Sequence, residues 1–277
     1  MKRDGQADGH GAQIGRRDFV RSSGSALAAG VVLGQGPFPA GDNPPGTSGD
    51  QPLFPVRPSQ EGRIQSYRTL GRTGFRVSDI SLGASFLREP NLVRYAFDKG
   101  MNYIDTADSY ANGASERAIR DSLPHIPREE VFISTKAMFR PRDDEEAVLD
   151  RARGSLERLN TEYIDAYMMS SVDTPGGLDH PGYHAAMDVL KAEGRVKFTG
   201  VTYHGPEATD QTGMADVLCA AAEDGRFDVL LLVYNFLSRS EGDRIIAAAK
   251  AHNVGTTAMK TAPGKLRAEP FDPENLS

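Results

Sequence analysis

The chain has 277 residues, a formal net charge of −6 and an apolar share of 39%, which suits a globular protein with a sizeable core. The acidic balance, without a basic stripe, excludes the usual electrostatic footprint of a nucleic-acid-binding protein. The single cysteine, Cys219, excludes an internal disulfide framework and a zinc or iron–sulfur site built from cysteines.

The first forty residues are typical of an export leader rather than of a folded domain. Arg16 and Arg17 stand together ahead of Phe19, and an apolar run follows over residues 26–33. This run is too short to span a bilayer, and the paired arginines resemble the twin-arginine translocation signal. We therefore expect residues 1–40 to engage the Tat translocase, which would make the protein periplasmic or otherwise extracytoplasmic. An ordinary disordered N-terminus is the alternative.

Residues 41–64 are dense in proline, glycine, serine and aspartate. This composition predicts a disordered linker, because the segment holds too little apolar surface to order itself. We expect no structure before about Gln65, a folded domain over residues 65–266 and a polar tail over residues 267–277.

From Tyr67 onward, short apolar strands alternate with amphipathic helices. A hairpin is predicted over residues 67–77, around a turn bounded by glycines. The predicted strands that follow are 80–83, 103–105, 131–135, 164–169, 196–202, 229–233 and 255–259. The predicted helices between them are 91–99, 115–123, 145–159, 183–193, 214–223 and 244–252. The strands lack strict alternation, which indicates burial on both faces.

This order favours an α/β fold of the (β/α)8 TIM-barrel type with an N-terminal β-hairpin. The pattern supplies seven strands, so we expect an incomplete barrel without its eighth strand and with the first and seventh strands unpaired. Truncation is the favoured explanation, ahead of completion by another chain or a tolerated open barrel. A doubly wound open sheet is the runner-up, but the run after residue 83 does not supply its G-x-G-x-x-G turn.

Three residues are placed to carry proton chemistry. Asp105 ends one predicted strand, Tyr110 follows five residues later, and Lys136 ends the next strand. Active sites of such barrels lie at the carboxyl ends of the strands, so we expect the three side chains to meet there. A free tyrosine has a pKa of about 10, and a nearby ammonium stabilises the phenolate and makes the phenol a better acid.

The chain resembles the aldo-keto reductases in its motifs YRTLGRTGFRVSDISLG, NYIDTADSYANGASE, VFISTKA, SLERLNTEYIDAYMM, EGRVKFTGV and VLLLVYNF. The resemblance implies hydride transfer from NADPH (NADP) to a small-molecule carbonyl substrate, an aldehyde or ketone. It implies Tyr110 as proton donor, Lys136 as tuning cation and Asp105 as the partner of Lys136. The full set of implied catalytic residues is Asp105, Tyr110, Lys136 and Ser170, and the cofactor-binding set is Gly83, Ala84, Asp105, Thr202, Asn235 and Lys260. No metal is expected.

Two positions depart from the family pattern. Ser170 stands where the family has a histidine at the end of the fourth barrel strand, and a serine cannot share an imidazole proton. Leu231 stands where a glutamine commonly binds the nicotinamide carboxamide. His204, just past the fifth barrel strand, is a hypothetical substitute for the absent histidine, with a solvated loop histidine as the alternative.

Two other functions compete with the reductase. The departures at Ser170 and Leu231, together with the expected absence of the C-terminal part of the cofactor site, also fit a catalytically impaired barrel that binds a ligand or a partner protein. A third possibility is covalent chemistry at Lys136 through a Schiff base, which needs a lysine of lowered pKa. A neighbouring Asp105 would raise that pKa instead, so this possibility ranks last.

Overall fold

The computed structural model describes residues 30–31, 63–64, 66–205 and 212–261. The paired arginines, most of the predicted linker and the predicted tail lie outside the described residues. No helix in the part of the chain that is described is both long and apolar enough to cross a membrane.

Ten strands and six α-helices make up the described fold. The strands are β1 (Gly30–Val31), β2 (Tyr67–Thr69), β3 (Arg76–Ser78), β4 (Ile80–Gly83), β5 (Tyr103–Asp105), β6 (Phe132–Ala137), β7 (Ile164–Ser170), β8 (Val196–Tyr203), β9 (Val229–Val233) and β10 (Gly255–Met259). The helices are α1 (Pro90–Asp98), α2 (Ala114–Ser122), α3 (Glu145–Leu159), α4 (Pro181–Ala192), α5 (Met214–Asp224) and α6 (Arg239–Ala251).

Strands β4 to β10 form the wall of a barrel, each parallel to its neighbour in chain order. The predicted (β/α)8-type barrel with an N-terminal hairpin is therefore confirmed, with seven parallel strands among the described residues. An open doubly wound sheet is excluded because β1 closes the wall between β4 and β10. This strand also corrects two expectations: residues before Gln65 do contribute structure, and the first and seventh barrel strands are not left unpaired.

Local sequence signals explain where the helices begin. Asp144 caps α3 by accepting a hydrogen bond from the Ala147 amide at 3.0 Å, and His180 caps α4 through Nδ1. Pro90 and Pro181 occupy first helical positions, where a missing amide hydrogen costs nothing. Helix α6 begins five residues earlier than predicted, because the Asn235 side chain accepts the amides of Leu237 and Ser238 and so turns the chain into the helix.

The apolar side chains fall into two cores. The larger core lies between the barrel wall and the helices, and the smaller one fills the barrel interior near the amino ends of the strands. Phe132 is the centre of the inner core. Its ring stacks with those of Tyr103 and Phe198, with centroids 5.3 Å and 6.2 Å away, and meets the edge of Phe75 at 5.4 Å.

The hairpin of β2 and β3 closes the amino end of the barrel, and we call it the plug (residues 67–78). It buries Leu70 and Val77 in the inner core. Gly71 has a φ of +49°, and a Cβ there would lie 2.2 Å from the amide nitrogen of Gly255. Only glycine allows the plug to approach the start of β10 so closely.

Candidate active site

The carboxyl ends of the barrel strands form the mouth, where Asp105 and Lys136 meet. Asp105 is paired in register with Ser134, so Lys136 lies two residues nearer the mouth and on the same face of the neighbouring strand. The Lys136 ammonium donates to both Asp105 carboxylate oxygens at 2.8 Å and to the Thr106 carbonyl at 2.9 Å. The buried ammonium therefore has three acceptor oxygens within hydrogen-bond distance.

Tyr110 completes the cluster from the loop after β5. Lys136 Nζ lies 4.9 Å from the centroid of the Tyr110 ring, so the phenol shares the field of the ammonium. Asp105, Tyr110 and Lys136, which the sequence predicts to meet, are therefore adjacent at the mouth. Tyr110 is half-buried.

The charges in this cluster support one another. Burial alone would lower the pKa of Lys136, but Asp105 and the nearby Tyr110 raise it above its usual value. Burial raises the pKa of Asp105, and the ammonium of Lys136 acts in the opposite direction. Lys136 is thus a protonated ammonium at neutral pH. This state disfavours Schiff-base chemistry, which needs a neutral amine.

The loop that carries Tyr110 is held in place from two sides. The Asp108 amide donates to the Lys136 carbonyl at 3.1 Å, and the Asp108 carboxylate accepts from Arg151 of α3 at 2.8 Å. Just beyond Tyr110, Ala111 and Asn112 have φ values of 50° and 55°, which strains non-glycine residues by roughly 1–2 kcal/mol each. The anchors on both sides hold the loop in this conformation.

The buried carboxylate of Glu116 stabilises β6, the strand that carries Lys136. Glu116 has no exposed surface, and it accepts from the Thr135 hydroxyl at 2.7 Å and from Arg158 Nε at 2.6 Å. Thr135 is the residue before Lys136, so its hydrogen bond to Glu116 fixes the strand next to the lysine. Sequence reasoning missed Glu116 and the Asp108–Arg151 pair, because the partners are 42 and 43 residues apart and on different elements.

Ser170 and Thr202 face each other on neighbouring strands at the mouth. They are paired in register between β7 and β8, and Ser170 is two residues nearer the mouth than Met168, the partner of Lys136. The Thr202 hydroxyl is buried, and it meets no hydrogen-bond partner among the residues that the structure describes. A polar atom of a bound molecule would satisfy it.

His204 follows β8 and lies within electrostatic reach of the cluster. Burial lowers the pKa of His204 from 6.5 to about 4, and the positive charges of Lys260 and Lys136 add to the effect. Although its side chain keeps an exposed surface, the imidazole is therefore neutral at pH 7 and can donate a hydrogen bond. The proposed substitute for the family histidine is thus at the same mouth.

The remaining predicted cofactor residues have varied surroundings. The Asn235 side chain is already used, since its amide donates to the Lys260 carbonyl at 3.0 Å and its oxygen accepts the amides that start α6. The Ala84 amide donates to the Asp105 carbonyl at 2.8 Å, which fixes the backbone just after Gly83. Leu231 lies in the inner core and is 3% exposed, as a core leucine would be.

A second phenol lies below the cluster inside the barrel. Tyr103 precedes Asp105 by two residues on β5 and is fully buried. Its hydroxyl lies near Ser134 and Thr257 but has no partner at hydrogen-bond geometry in the described part of the chain. Burial and the charge of Asp105 raise the pKa of Tyr103 to about 12, so it stays a neutral phenol.

Comparison with known proteins places this geometry in a family. Residues 86–273, about two thirds of the chain, match the model described as the Aldo/keto reductase family. "Probable aldo-keto reductase 1" of Glycine max is 31% identical over 166 residues, which cover 53% of this chain and 47% of that protein. "Aldo-keto reductase AMT2" of Alternaria alternata is 28% identical over 255 residues, or 74% of this chain and 67% of that protein.

Among solved structures, the aldo-keto reductase from Klebsiella pneumoniae in complex with NADPH has a similar fold. The two superimpose with a TM-score of 0.55 at 24% identity, over 69% of this chain and 67% of that one. The chain spans about half the length of several curated relatives that it matches. The family match and the barrel together establish that this chain belongs to the aldo/keto reductase family.

Proposed function

We propose that the chain is a nicotinamide-dependent oxidoreductase that reduces an aldehyde or ketone, with NADPH as the cofactor and Tyr110 as the proton donor. The observation that carries the proposal is the contact between Lys136, Asp105 and Tyr110 at the barrel mouth. A protonated lysine, held by a carboxylate at 2.8 Å, lies 4.9 Å from the ring centroid of the half-buried Tyr110.

The residues at the mouth fit a nicotinamide dinucleotide. The Thr202 hydroxyl, which has no partner within the part of the chain that the structure describes, suits the carboxamide, while the Leu231 side chain offers no polar atom for it. Gly83 and Ala84 border Asp105 at the same strand ends, and Lys260 supplies a positive charge at the rim. Asn235 shapes the loop between β9 and α6 rather than offering a spare amide. A reduced nicotinamide, when bound, supplies the hydride that reaches the carbonyl carbon.

The protein's own part in the reaction is proton supply and charge placement. The Tyr110 hydroxyl gives its proton to the carbonyl oxygen as that oxygen gains negative charge, which leaves a phenolate. The Lys136 ammonium stabilises this phenolate at close range, and a proton taken from solvent then restores the phenol. Ser170 and the neutral imidazole of His204 are placed to orient the carbonyl by hydrogen bonds.

The rim of the mouth points to a substrate with an apolar body. Phe86, Met138, Phe236 and Leu237 lie in the loops after β4, β6 and β9, at the same end as Lys136. Each of these side chains is more than half exposed. Exposed apolar side chains around a polar centre are typical of a binding site for a largely apolar ligand.

Fluorescence titration and turnover together test the proposal. We expect NADPH to bind to the purified chain, and Tyr110→Phe to keep that binding while it lowers turnover of an aldehyde panel about 10²–10⁴-fold. Absence of binding at millimolar NADPH would refute the reductase, as would equal turnover by wild type and Tyr110→Phe.

A second function has support of its own. Ser170 in place of histidine, Leu231 in place of glutamine and the occupied amide of Asn235 all weaken the cofactor and carbonyl contacts. They favour a catalytically impaired member of the family that binds a ligand or a partner. Binding of NADPH without turnover of any aldehyde or ketone in the panel would favour this function over the first.

For the location of the protein, we propose export by the Tat translocase to the periplasm or another extracytoplasmic space. The support is the pair Arg16–Arg17 ahead of Phe19 and the apolar run at residues 26–33. Replacement of both arginines by lysine should retain the protein in the cytoplasm of an expressing bacterium. Equal fractionation of the two forms would contradict export by this route.

A further inference from the structure

The residues of the mouth cluster come from two parts of the chain that must be held against each other. Asp105 ends β5 and Tyr110 follows in the next loop, whereas Lys136 belongs to β6. Residues 113–116, which lead from the Tyr110 loop into α2, contact both parts, and we call them the bracket. The contacts of the bracket therefore bear on the geometry of the whole cluster.

Ser115 connects the bracket to the strand end that carries Asp105. The Ser115 hydroxyl is fully buried and donates to the Ala84 carbonyl at 2.8 Å, and the Thr106 hydroxyl lies 2.7 Å away. Because Ser115 uses its hydrogen on Ala84, Thr106 is the donor in the second bond. Thr106 follows Asp105, and its carbonyl accepts from Lys136 at 2.9 Å. Ser115 therefore fixes the backbone next to Asp105 against α2.

Glu116 connects the bracket to the strand that carries Lys136. One oxygen of its fully buried carboxylate accepts from the Thr135 hydroxyl at 2.7 Å, and the other accepts from Arg158 Nε at 2.6 Å. A buried carboxylate is stable only when its oxygens are paired, so both partners are held firmly. The residue before Lys136 and the end of α3 are thereby fixed to the same side chain.

Gly113 connects the Tyr110 loop to the same arginine. Its φ is +76°, and a Cβ at this position would lie 2.8 Å from Arg158 Cδ. The loop therefore packs directly against the Arg158 side chain, at a point just after Tyr110. Since Arg158 is also the partner of Glu116, any movement of this pair displaces the Tyr110 loop relative to β6.

We propose that Glu116 and Arg158 are positioning residues for the cluster. They set the distance between the Tyr110 phenol and the Lys136 ammonium, which they reach through the glycine of the bracket and through the residue before the lysine. Glu116 has no exposed surface, so it does not touch a substrate itself. The inference rests on the proposed reductase, because in that reaction a misplacement of about 1 Å can cost about 10²-fold in rate.

Turnover of a variant that removes the buried charge tests the proposal. Glu116→Gln keeps the size of the side chain, but its amide cannot accept both hydrogen bonds, so kcat should fall about 10–10²-fold. NADPH binding and KM should stay unchanged, because the pair acts on the cluster and not on the ligands.

The matched control is Asp165→Asn. Asp165 is also a buried carboxylate that holds β6, since it accepts from the Ile133 amide at 3.0 Å. It pairs with Arg128 at 2.8 Å, however, and lies near the amino end of the barrel. This control should lower the melting temperature and leave kcat unchanged.

Thr135→Val repeats the test without disturbing the ion pair. It removes the hydroxyl that donates to Glu116 and keeps the shape of the side chain, so kcat should fall about 3–10-fold with a smaller loss of stability. Thr199→Val is its control, because Thr199 is a buried threonine of β8 whose hydroxyl donates to Asp228 at 3.2 Å, away from the mouth. The control should leave kcat unchanged.

A spectroscopic signal reports the distance directly and needs no turnover. Lys136 Nζ lies over the Tyr110 ring, 4.9 Å from its centroid, so the ring current shifts the resonance of the Lys136 ε-methylene. In the full chain, labelled with carbon-13 at the lysine ε-carbon, this shift is the difference between wild type and Tyr110→Leu. We expect Glu116→Gln to lose most of the shift and Asp165→Asn to keep it.

Equal losses of kcat in Glu116→Gln and Asp165→Asn would overturn the proposal, because a purely stabilising role predicts them. An unchanged ring-current shift in both Glu116→Gln and Thr135→Val would overturn it as well. A wild type that reduces no carbonyl compound would instead refute the proposed reductase, and the ring-current shift would then decide by itself whether the pair positions Tyr110 against Lys136.

Discussion

The two ends of the barrel interior are lined by the same seven strands but hold different kinds of side chain. At the amino end, aromatic rings of Phe75, Phe132 and Phe198 fill the space and exclude water. At the mouth, Asp105 lies two residues beyond Tyr103 on β5, and Lys136 lies four residues beyond Phe132 on β6. The Asp105 carboxylate and the Lys136 ammonium are held together there at 2.8 Å. One end stabilises the fold, whereas the other keeps a costly charge pair where chemistry can use it.

This contrast follows from what each end encloses. Apolar rings gain free energy wherever they are buried, so the amino end needs no partner outside the protein. A buried ion pair is at best close to neutral for stability, because desolvation offsets the attraction between the charges. Its presence at the mouth therefore indicates a role other than holding the fold together.

Lys136→Met should produce the largest effect. The variant leaves Asp105 buried without its cation, which should lower the free energy of unfolding by about 3–5 kcal/mol. The double variant Asp105→Asn with Lys136→Met should recover at least half of that loss, because no charge is then left unpaired. Urea unfolding measures both. A stable single variant, or a double variant no better than it, would show that the mouth pair is not energetically coupled.

Phe132→Ala tests the other end of the barrel. Loss of the ring at the centre of the inner core should lower the free energy of unfolding by about 3–5 kcal/mol. The matched control is Phe86→Ala, because Phe86 is 53% exposed at the mouth and its loss should change stability by no more than about 0.5 kcal/mol. Similar losses of unfolding free energy in the two variants would contradict the distinction between a packed amino end and an open mouth.

Tyr103→Phe tests the layer between the two ends. Its hydroxyl is buried and meets no hydrogen-bond partner in the described ranges of the chain, so removing it should raise the free energy of unfolding by about 0.5–1 kcal/mol. Tyr183 is equally buried, but its hydroxyl donates to the Tyr167 carbonyl at 2.7 Å. Tyr183→Phe should therefore lower stability by about 1 kcal/mol. A loss of stability in both variants would mean that the Tyr103 hydroxyl has a partner in solution.

His204 gives the smallest and most local effect. Its folded pKa of about 4 lies below the ordinary 6.5, so the unfolded state takes up the proton more readily. The histidine's contribution to stability is therefore full above pH 6.5 and is lost as the pH falls toward 4. NMR titration of the imidazole should find a midpoint near 4, and Lys260→Met should raise it. A midpoint of 6.5 in both proteins would place His204 away from these charges.

The sequence predicts the wall strands because each is a short apolar run bounded by turns, and it predicts the mouth because Asp105 and Lys136 end adjacent strands. It does not predict what depends on pairing across long separations. Glu116 reads as an ordinary surface glutamate of a helix until Arg158 and Thr135 are seen around it. The run at residues 26–33 has the composition of a leader, and no local pattern says that Val31 is paired with two strands of the wall.

Asn235 shows a second limit of prediction from the sequence. The family pattern predicts it as a cofactor ligand, while its amide is engaged with Lys260 and with the start of α6. Residue type and position in a motif are visible in a sequence. How many of a side chain's hydrogen bonds are already used is a property of the folded chain.

The plug also sets the order in which the protein can be completed during synthesis. Arg72, near the beginning of the domain, donates to the carbonyls of Gly225 and His252, which lie 153 and 180 residues later. At a translation rate of about 5–20 residues per second, the ribosome needs roughly 10–40 s after it has made Arg72 to reach His252. For that whole interval the plug lacks these two partners and the apolar Leu70 and Val77 lack the later strands of the inner core, so a cell that makes this protein would benefit from a chaperone that covers them.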